Sequence, residues 1–282
     1  MLHEGKDLRE REHHLLTVKG HWENKRLAMS AQVDRSNAHT QMPELRGRRA
    51  VISGGTTGIG RAIAVLLASE GVEVFICGRD RQHLADALER IAQVGKGQGI
   101  AIDLAQQGAA ARFFAAAETA ICLPDIAVIN AAVPAGALAE TSPADTVYQT
   151  AVDFGAYLTL AQLAATRMKA GSDIILIGSM SAVSQGPGSS LYVAAKSGIE
   201  GLAPALRKEL AEKDIKVGLI EPGFTGADFQ YPEFPPEKQR ELIHHHKMLR
   251  AEDIAVAAQF MLRQPRRCAV SLMRVETRLA HP

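Results

Sequence analysis

From residue 48 onward the chain alternates two kinds of segment. Short apolar runs at residues 50–52, 72–77, 99–102, 126–130, 173–177, 215–220 and 269–275 are separated by longer amphipathic, alanine-rich stretches near 60–69, 81–94, 109–120, 146–169, 191–213 and 251–263. Most of the runs are continuously apolar rather than alternating, as strands covered on both faces require. Strand and helix in turn predict an α/β fold. The expected architecture is a doubly wound, mostly parallel seven-stranded sheet with helices on both faces, right-handed crossovers and a ligand beyond the carboxyl ends of the strands. No repeat or low-complexity linker divides residues 46–282, which read as one domain.

Residues 1–45 break this pattern. They hold five of the ten histidines and the only tryptophan, Trp22, among many charges and almost no strand-like run. They read as an N-terminal extension, flexible or draped over the surface, in which residues 8–27 form at most a weakly amphipathic helix with Leu15, Leu16 and Trp22 on one side. Composition narrows the function classes. With 32 Lys+Arg against 31 Asp+Glu the formal net charge is +1, which lacks the basic footprint of a nucleic-acid partner. No apolar run is long enough to suggest a membrane span, and the amino terminus has no signal-peptide core. Cys77, Cys122 and Cys268 are scattered and odd in number, so neither a disulfide framework nor a zinc site is expected and a reducing cytoplasm is the natural location.

The first strand runs into Ser53-Gly54-Gly55-Thr56-Thr57-Gly58-Ile59-Gly60, followed by a helix. Gly54, Gly58 and Gly60 fall where a tight turn, backbone approach to a pyrophosphate and close helix–sheet packing each exclude a Cβ. The following helix N-terminus would face the phosphates. A lysine after the last glycine is missing, which argues against a nucleoside-triphosphate loop. The second strand ends at Gly78-Arg79 in place of the acidic residue that would hold both ribose hydroxyls of NAD. Arg79 therefore favours NADP(H), by clamping a 2′-phosphate and stacking on adenine; the alternative is a solvated side chain at a helix start. Asp103, with Leu104 beside it, follows the third strand. It suits either the adenine amino group or a helix cap.

The fifth strand ends at Ser179, and Tyr192-Val193-Ala194-Ala195-Lys196 comes thirteen residues later. On a helix the i, i+4 spacing puts phenol and ammonium on one face, where the fixed charge favours the phenolate and draws the tyrosine below its usual pKa of ~10. Tyr192 is then a usable general acid/base, and Ser179 can donate to a carbonyl oxygen as an oxyanion donor does.

With the glycine loop, the strand-end serine and the Tyr/Lys helix in register, the sequence resembles the short-chain dehydrogenase/reductase family over residues 46 to about 278. The family's catalytic Ser, Tyr and Lys fall on Ser179, Tyr192 and Lys196. Its Thr-Gly-x-x-x-Gly-x-Gly falls on Ser53 through Gly60, and its Pro-Gly turn on Pro222-Gly223. The resemblance implies a Rossmann-type fold, hydride transfer between nicotinamide and a carbonyl or alcohol carbon, Lys196 on the nicotinamide ribose and the backbone after Pro222 on the carboxamide. Thr225 would also touch the cofactor. A homodimer or homotetramer built on the helices at 146–169 and 191–213 is implied in the same way. Two departures stand out. The family's Asn-Asn-Ala-Gly appears as Ile129-Asn130-Ala131-Ala132, where backbone contact to the cofactor is expected to survive. The helix asparagine that supports a relay water in the family aligns with Asp153, which when ionised would pair with Lys196 and weaken its effect on Tyr192, unless the main-chain carbonyl alone holds the water.

Residues 224–248 occupy the place of the substrate lid. Phe224, Phe229, Tyr231 and Phe234 suit an apolar or ring-bearing carbonyl or alcohol substrate, or else pack the lid and an oligomer contact. His244-His245-His246 points in different directions on a helix and reads as a solvated helix end, so no metal is expected. Residues 186–190 read as a loop and helix cap. The expected function is an NADP(H)-dependent oxidoreductase, with a nucleotide-binding scaffold or regulatory protein on the same fold as the alternative.

Overall fold

The computed structural model describes residues 42–134, 136–226 and 234–279. Of the chain's two units, Met1–Met42 and Pro43–Pro282, the second carries every helix and strand of the described residues. The extension expected at 1–45 lies almost wholly outside them. Seven strands form one sheet: β1 (Arg49–Ser53), β2 (Glu73–Gly78), β3 (Lys96–Ala101), β4 (Ile126–Ile129), β5 (Asp173–Ile177), β6 (Lys216–Pro222) and β7 (Leu272–Val275). They pair in the order β3-β2-β1-β4-β5-β6-β7, and every pair is parallel.

The continuous apolar runs become the central strands because both faces are covered. On one face α1 (Gly58–Ser69), α2 (Arg81–Ala92) and a late helix, Ala251–Leu262, set Ile63, Leu67, Ile91, Ile254 and Met261 against Ile52, Ile76 and Ile220. On the other, α3 (Ala109–Ile121) and two helices at Ala156–Arg167 and Ser190–Leu210 pack Phe113, Phe114, Leu160, Ile199 and Leu206 against Val51, Phe75 and Leu176. The two edge strands depart from the expected runs. β3 starts earlier than 99 and alternates between exposed and half-buried positions, since it has a neighbour on one side only. β7 begins at Leu272 rather than 269 and is similarly half covered.

The expected helix at 146–169 is a correction. It begins earlier, as α4 (Pro143–Thr150), where Pro143 occupies the first turn without losing a hydrogen bond and Ser142 Oγ accepts the Asp145 N–H at 3.1 Å. A π-turn at Ala151–Gly155 then interrupts it before α5 (Ala156–Arg167). The wide turn coincides with a tight crossing of the next long helix. A Cβ on Gly198 would lie 2.7 Å from the Phe154 ring, so the ring rests directly on the glycine backbone. The remaining helices are α6 (Ser181–Ser184), α7 (Ser190–Leu210), α8 (Pro236–His244) and α9 (Ala251–Leu262). Ser189 precedes α7 as expected of a cap, yet its hydroxyl makes no capping bond. No helix among the described residues is long and apolar enough to cross a membrane.

Candidate active site

Chain order reverses direction across β1, whose neighbours are β2 on one side and β4 on the other, and such a switch point opens a crevice at the strand ends. Two residues tie its walls together. Ser53 Oγ at the end of β1 accepts the backbone N–H groups of Asn130 at 2.9 Å and Ala131 at 3.2 Å, and Asn130 Nδ2 donates back to the carbonyls of Ser53 and Gly54 at 3.2 and 3.1 Å. Gly54 has φ +64°, open to glycine at little cost, and a Cβ on Gly60 would fall 2.1 Å from the Gly54 carbonyl oxygen. The loop therefore lies flat on the start of α1. Thr57, at the N-cap of α1, makes no side-chain capping bond.

A single cavity gathers most of the cofactor residues expected from sequence: Gly54, Thr56, Thr57, Gly58, Ile59, Arg79, Asp103, Leu104, Asn130, Ala131 and Ala132 all line it. The glycine cradle, the strand-end arginine and the paired loops fit a dinucleotide, whose pyrophosphate would meet the glycine loop. Ser53 and Gly60 lie just beneath, buried, and shape the cradle rather than line it.

The end of the cavity beside Arg79 and Asp103 holds a group that sequence reasoning missed. Tyr148 of α4 receives a hydrogen bond on its hydroxyl from Arg79 Nη1 at 2.7 Å and donates to Asp103 at 3.2 Å. The guanidinium also stands 5.9 Å from the Tyr148 ring centre. Arg79 is exposed but held. The helix-start role belongs to Asp80, whose carboxylate accepts the His83 N–H at 2.8 Å. Asp103 is likewise no helix cap: it accepts the Ala105 N–H at 3.0 Å, while Gly108 precedes α3. Gly78 has its own reason to lack a side chain, because a Cβ there would meet Thr56 Oγ1 at 2.3 Å.

At the end of β5, Ser179 is half-buried and its Oγ accepts the Ser181 N–H at 3.1 Å. Tyr192 and Lys196 share a face of α7, with Lys196 Nζ 5.4 Å from the Tyr192 ring centre. Lys196 is only 1% exposed and donates to the Ile177 carbonyl at 2.9 Å and to the Tyr157 hydroxyl at 3.0 Å. Burial lowers its ammonium to about pKa 8, against the opposing pull of Asp153. It remains cationic at neutral pH.

The pairing of Asp153 with Lys196 expected from sequence does not form as a hydrogen-bonded contact. Asp153, in the π-turn, instead accepts the Val133 N–H on Oδ1 at 2.7 Å, and its buried Oδ2 has no hydrogen-bond partner among the described residues. Burial raises this carboxyl to about 6, although the Val133 bond and the Lys196 charge both favour the anion. The coupling between the two is electrostatic across the wall of the site.

Pro222, Gly223 and Thr225 follow β6. The Gly223 N–H donates to Val275 O at 2.7 Å, and the buried Thr225 hydroxyl donates to Gly223 O at 2.9 Å, so both brace the turn. Phe229 and Tyr231 of the expected lid lie outside the described residues. Phe224 and Phe234 meet edge to face, 5.3 Å between ring centres. His244 ends α8, and His246 has φ +58°. Among the described residues no group of three or more His, Cys, Asp or Glu side chains is placed to hold a metal.

A family profile described as short chain dehydrogenase matches residues 48–238. The chain is 31% identical over 220 residues to the rhamnolipids biosynthesis 3-oxoacyl-(acyl-carrier-protein) reductase of Pseudomonas aeruginosa, covering 75% of this chain and 82% of the relative. It is 30% identical over 226 residues to a 3-oxoacyl-(acyl-carrier-protein) reductase of Haemophilus influenzae, covering 77% and 91%. Among solved structures, a short chain dehydrogenase of Burkholderia cenocepacia in complex with NADP superposes with a TM-score of 0.74 at 27% identity, covering 83% of this chain and 98% of that one. With a family profile matched over residues 48–238 and relatives 30% and 31% identical, the chain belongs to the short-chain dehydrogenase/reductase family of nucleotide-dependent oxidoreductases, which act on CH–OH and C=O groups.

Proposed function

We propose that this protein is an NADP(H)-dependent oxidoreductase acting on a carbonyl or secondary alcohol in an apolar or ring-bearing compound, with 3-oxoacyl compounds the leading class. The observation that carries the cofactor preference is Arg79, held at the end of β2 by Tyr148 where a carboxylate would select against an added phosphate. The glycine loop and the Asn130–Ala132 segment line the same cavity and suit the pyrophosphate and nearer ribose. The relatives named as 3-oxoacyl reductases and the Phe224–Phe234 pair support the substrate class.

When bound, the nicotinamide supplies or takes the hydride. The chain's own residues manage the oxygen. Because Ser179 Oγ already accepts from Ser181, its hydroxyl proton is free to be offered to a carbonyl oxygen. Tyr192 transfers the proton, under the field of Lys196, which also reaches the ribose. Pro222, Gly223 and Thr225 position the carboxamide end.

Arg79→Ala is expected to weaken NADPH by roughly 10- to 100-fold, the range for a lost charge-assisted hydrogen bond, and NADH by about twofold or less. Titration followed by nicotinamide fluorescence reads both. Equal weakening of the two cofactors would remove the 2′-phosphate role. Failure of the unaltered protein to bind either would leave the scaffold alternative. The protein is further proposed to act in the cytoplasm as a homodimer or homotetramer, using the α4–α5 and α7 surface on which Val147 is 71% and Leu158 41% exposed. A monomer in light scattering would refute the assembly.

A further inference from the structure

Lys196 is enclosed by two tyrosines from different helices. Its Nζ stands 4.7 Å from the ring centre of Tyr157 in α5 and 5.4 Å from that of Tyr192 in α7. It donates to the Tyr157 hydroxyl at 3.0 Å and to the Ile177 carbonyl at 2.9 Å, and the Tyr157 hydroxyl donates to that same carbonyl at 2.8 Å. Three elements, α5, α7 and the end of β5, thereby close a hydrogen-bonded triangle behind the ammonium. Tyr157 is fully buried in the face that carries Leu160 and Ala161, where a phenol has no reason to stand unless its hydroxyl is used. The π-turn puts it there. One extra residue turns the following helix by about 100°, so removing it would rotate Tyr157 away from Lys196.

We propose that Tyr157 is a positioning residue for proton transfer at Tyr192: its hydroxyl fixes the Lys196 ammonium so that the charge and the one unused N–H bond serve Tyr192 and the cofactor ribose. The inference rests on the oxidoreductase reading above. The groups that face Lys196 are Asp153 from the π-turn, Tyr157 from α5, the Ile177 carbonyl from β5 and Tyr192 from its own helix. Burial first, then negative charge at Tyr192 and Asp153, holds the Tyr157 phenol well above its usual pKa. Tyr157 therefore acts as a neutral dipole and exchanges no proton. Without its hydroxyl, Lys196 keeps only the Ile177 carbonyl and is drawn toward Asp153, the buried anion within its field, which weakens its hold on Tyr192.

Tyr157→Phe keeps the ring and removes the hydroxyl. In alcohol oxidation with NADP, kcat is expected to fall about 10-fold and the rising limb of the pH profile to move up by about one pH unit, with the KM for NADP changed less than about twofold. Tyr157→Leu removes the ring as well. Similar shifts of the limb in both variants assign the effect to the hydroxyl; a limb that stays put in the Phe variant overturns the proposal, whatever the loss of stability. Tyrosinate absorbance provides a readout without turnover. The first tyrosine to ionise should be absent in Tyr192→Phe and delayed to higher pH in Tyr157→Phe. If the unaltered protein oxidises no alcohol, the functional reading fails, yet this titration still decides Tyr157: an undelayed transition overturns the positioning role.

Discussion

Replacing Tyr192 with Phe is expected to lower ketone turnover by about 10²–10⁴-fold, the range for removal of a positioned general acid, while NADPH still binds. The side chain stands on the same face of α7 as Lys196, and no other phenol among the described residues reaches that position: Tyr157 is sealed behind the ammonium and Tyr148 is engaged with Arg79 and Asp103. Phe keeps the packing of the half-buried ring, so the fold and the cavity should persist. Ser179 can still polarise the carbonyl, which leaves residual activity rather than none. Steady-state reduction of a responsive ketone, alongside nicotinamide fluorescence for binding, makes the check. Unchanged turnover with intact binding would mean that the proton comes from elsewhere and that the Tyr192 mechanism is wrong.

Asp153→Asn should change how stability depends on pH. The carboxyl is raised from 3.8 to about 6 in the folded protein, chiefly by burial, so the fold binds this proton more tightly than the unfolded chain does. Its stabilising contribution is complete below about pH 4 and is lost as pH rises through about 6. Above that, a buried anion with one unpartnered oxygen costs the fold on the order of 3 kcal/mol, since each tenfold difference in proton affinity between folded and unfolded chain is worth ~1.4 kcal/mol. Asparagine retains an acceptor for the Val133 N–H and carries no charge. The stability of the variant relative to the unaltered protein should thus rise by about 3 kcal/mol between roughly pH 4 and pH 8, as read by denaturant unfolding at the two pH values. A gap independent of pH would show that Asp153 titrates as an ordinary surface carboxylate.

The same substitution has a cost for catalysis. The Asp153 anion raises the pKa of the Lys196 ammonium, which burial otherwise depresses to about 8. Removing it should let Lys196 lose its charge at lower pH, narrowing the active range from the alkaline side. The aspartate thus weakens the fold at neutral pH while helping to keep Lys196 charged there.

Much of this was legible in the chain itself. The continuous apolar runs became the buried strands β1, β2, β4, β5 and β6, because a strand covered on both faces has no position where a polar side chain is cheap. The glycine loop was legible because a missing Cβ leaves a mark in sequence wherever backbone meets backbone, as at Gly60 against Gly54. Ser179, Tyr192 and Lys196 were legible because one strand end and one helical turn set their spacing locally. Less accessible were the edges and the interruption. β3 and β7 shifted because an edge strand lacks a second neighbour, and the π-turn at Ala151–Gly155 leaves no trace in a periodicity that continues on both sides.

Local spacing, and residue type at a strand end, were thus enough for the layered α/β architecture, the glycine turn between β1 and α1, the shared helix face of Tyr192 and Lys196 and the absence of a carboxylate at the end of β2. What surrounds those groups came from packing alone. Tyr148 gripping Arg79, Asp153 turning to Val133 rather than to Lys196, and Tyr157 closing behind the ammonium join residues 69, 20 and 39 positions apart. Contacts across such separations are set by how α4, the π-turn and α5 pack over the sheet. A single extra residue in one helical turn changes which side chain arrives, and no local pattern records that rotation.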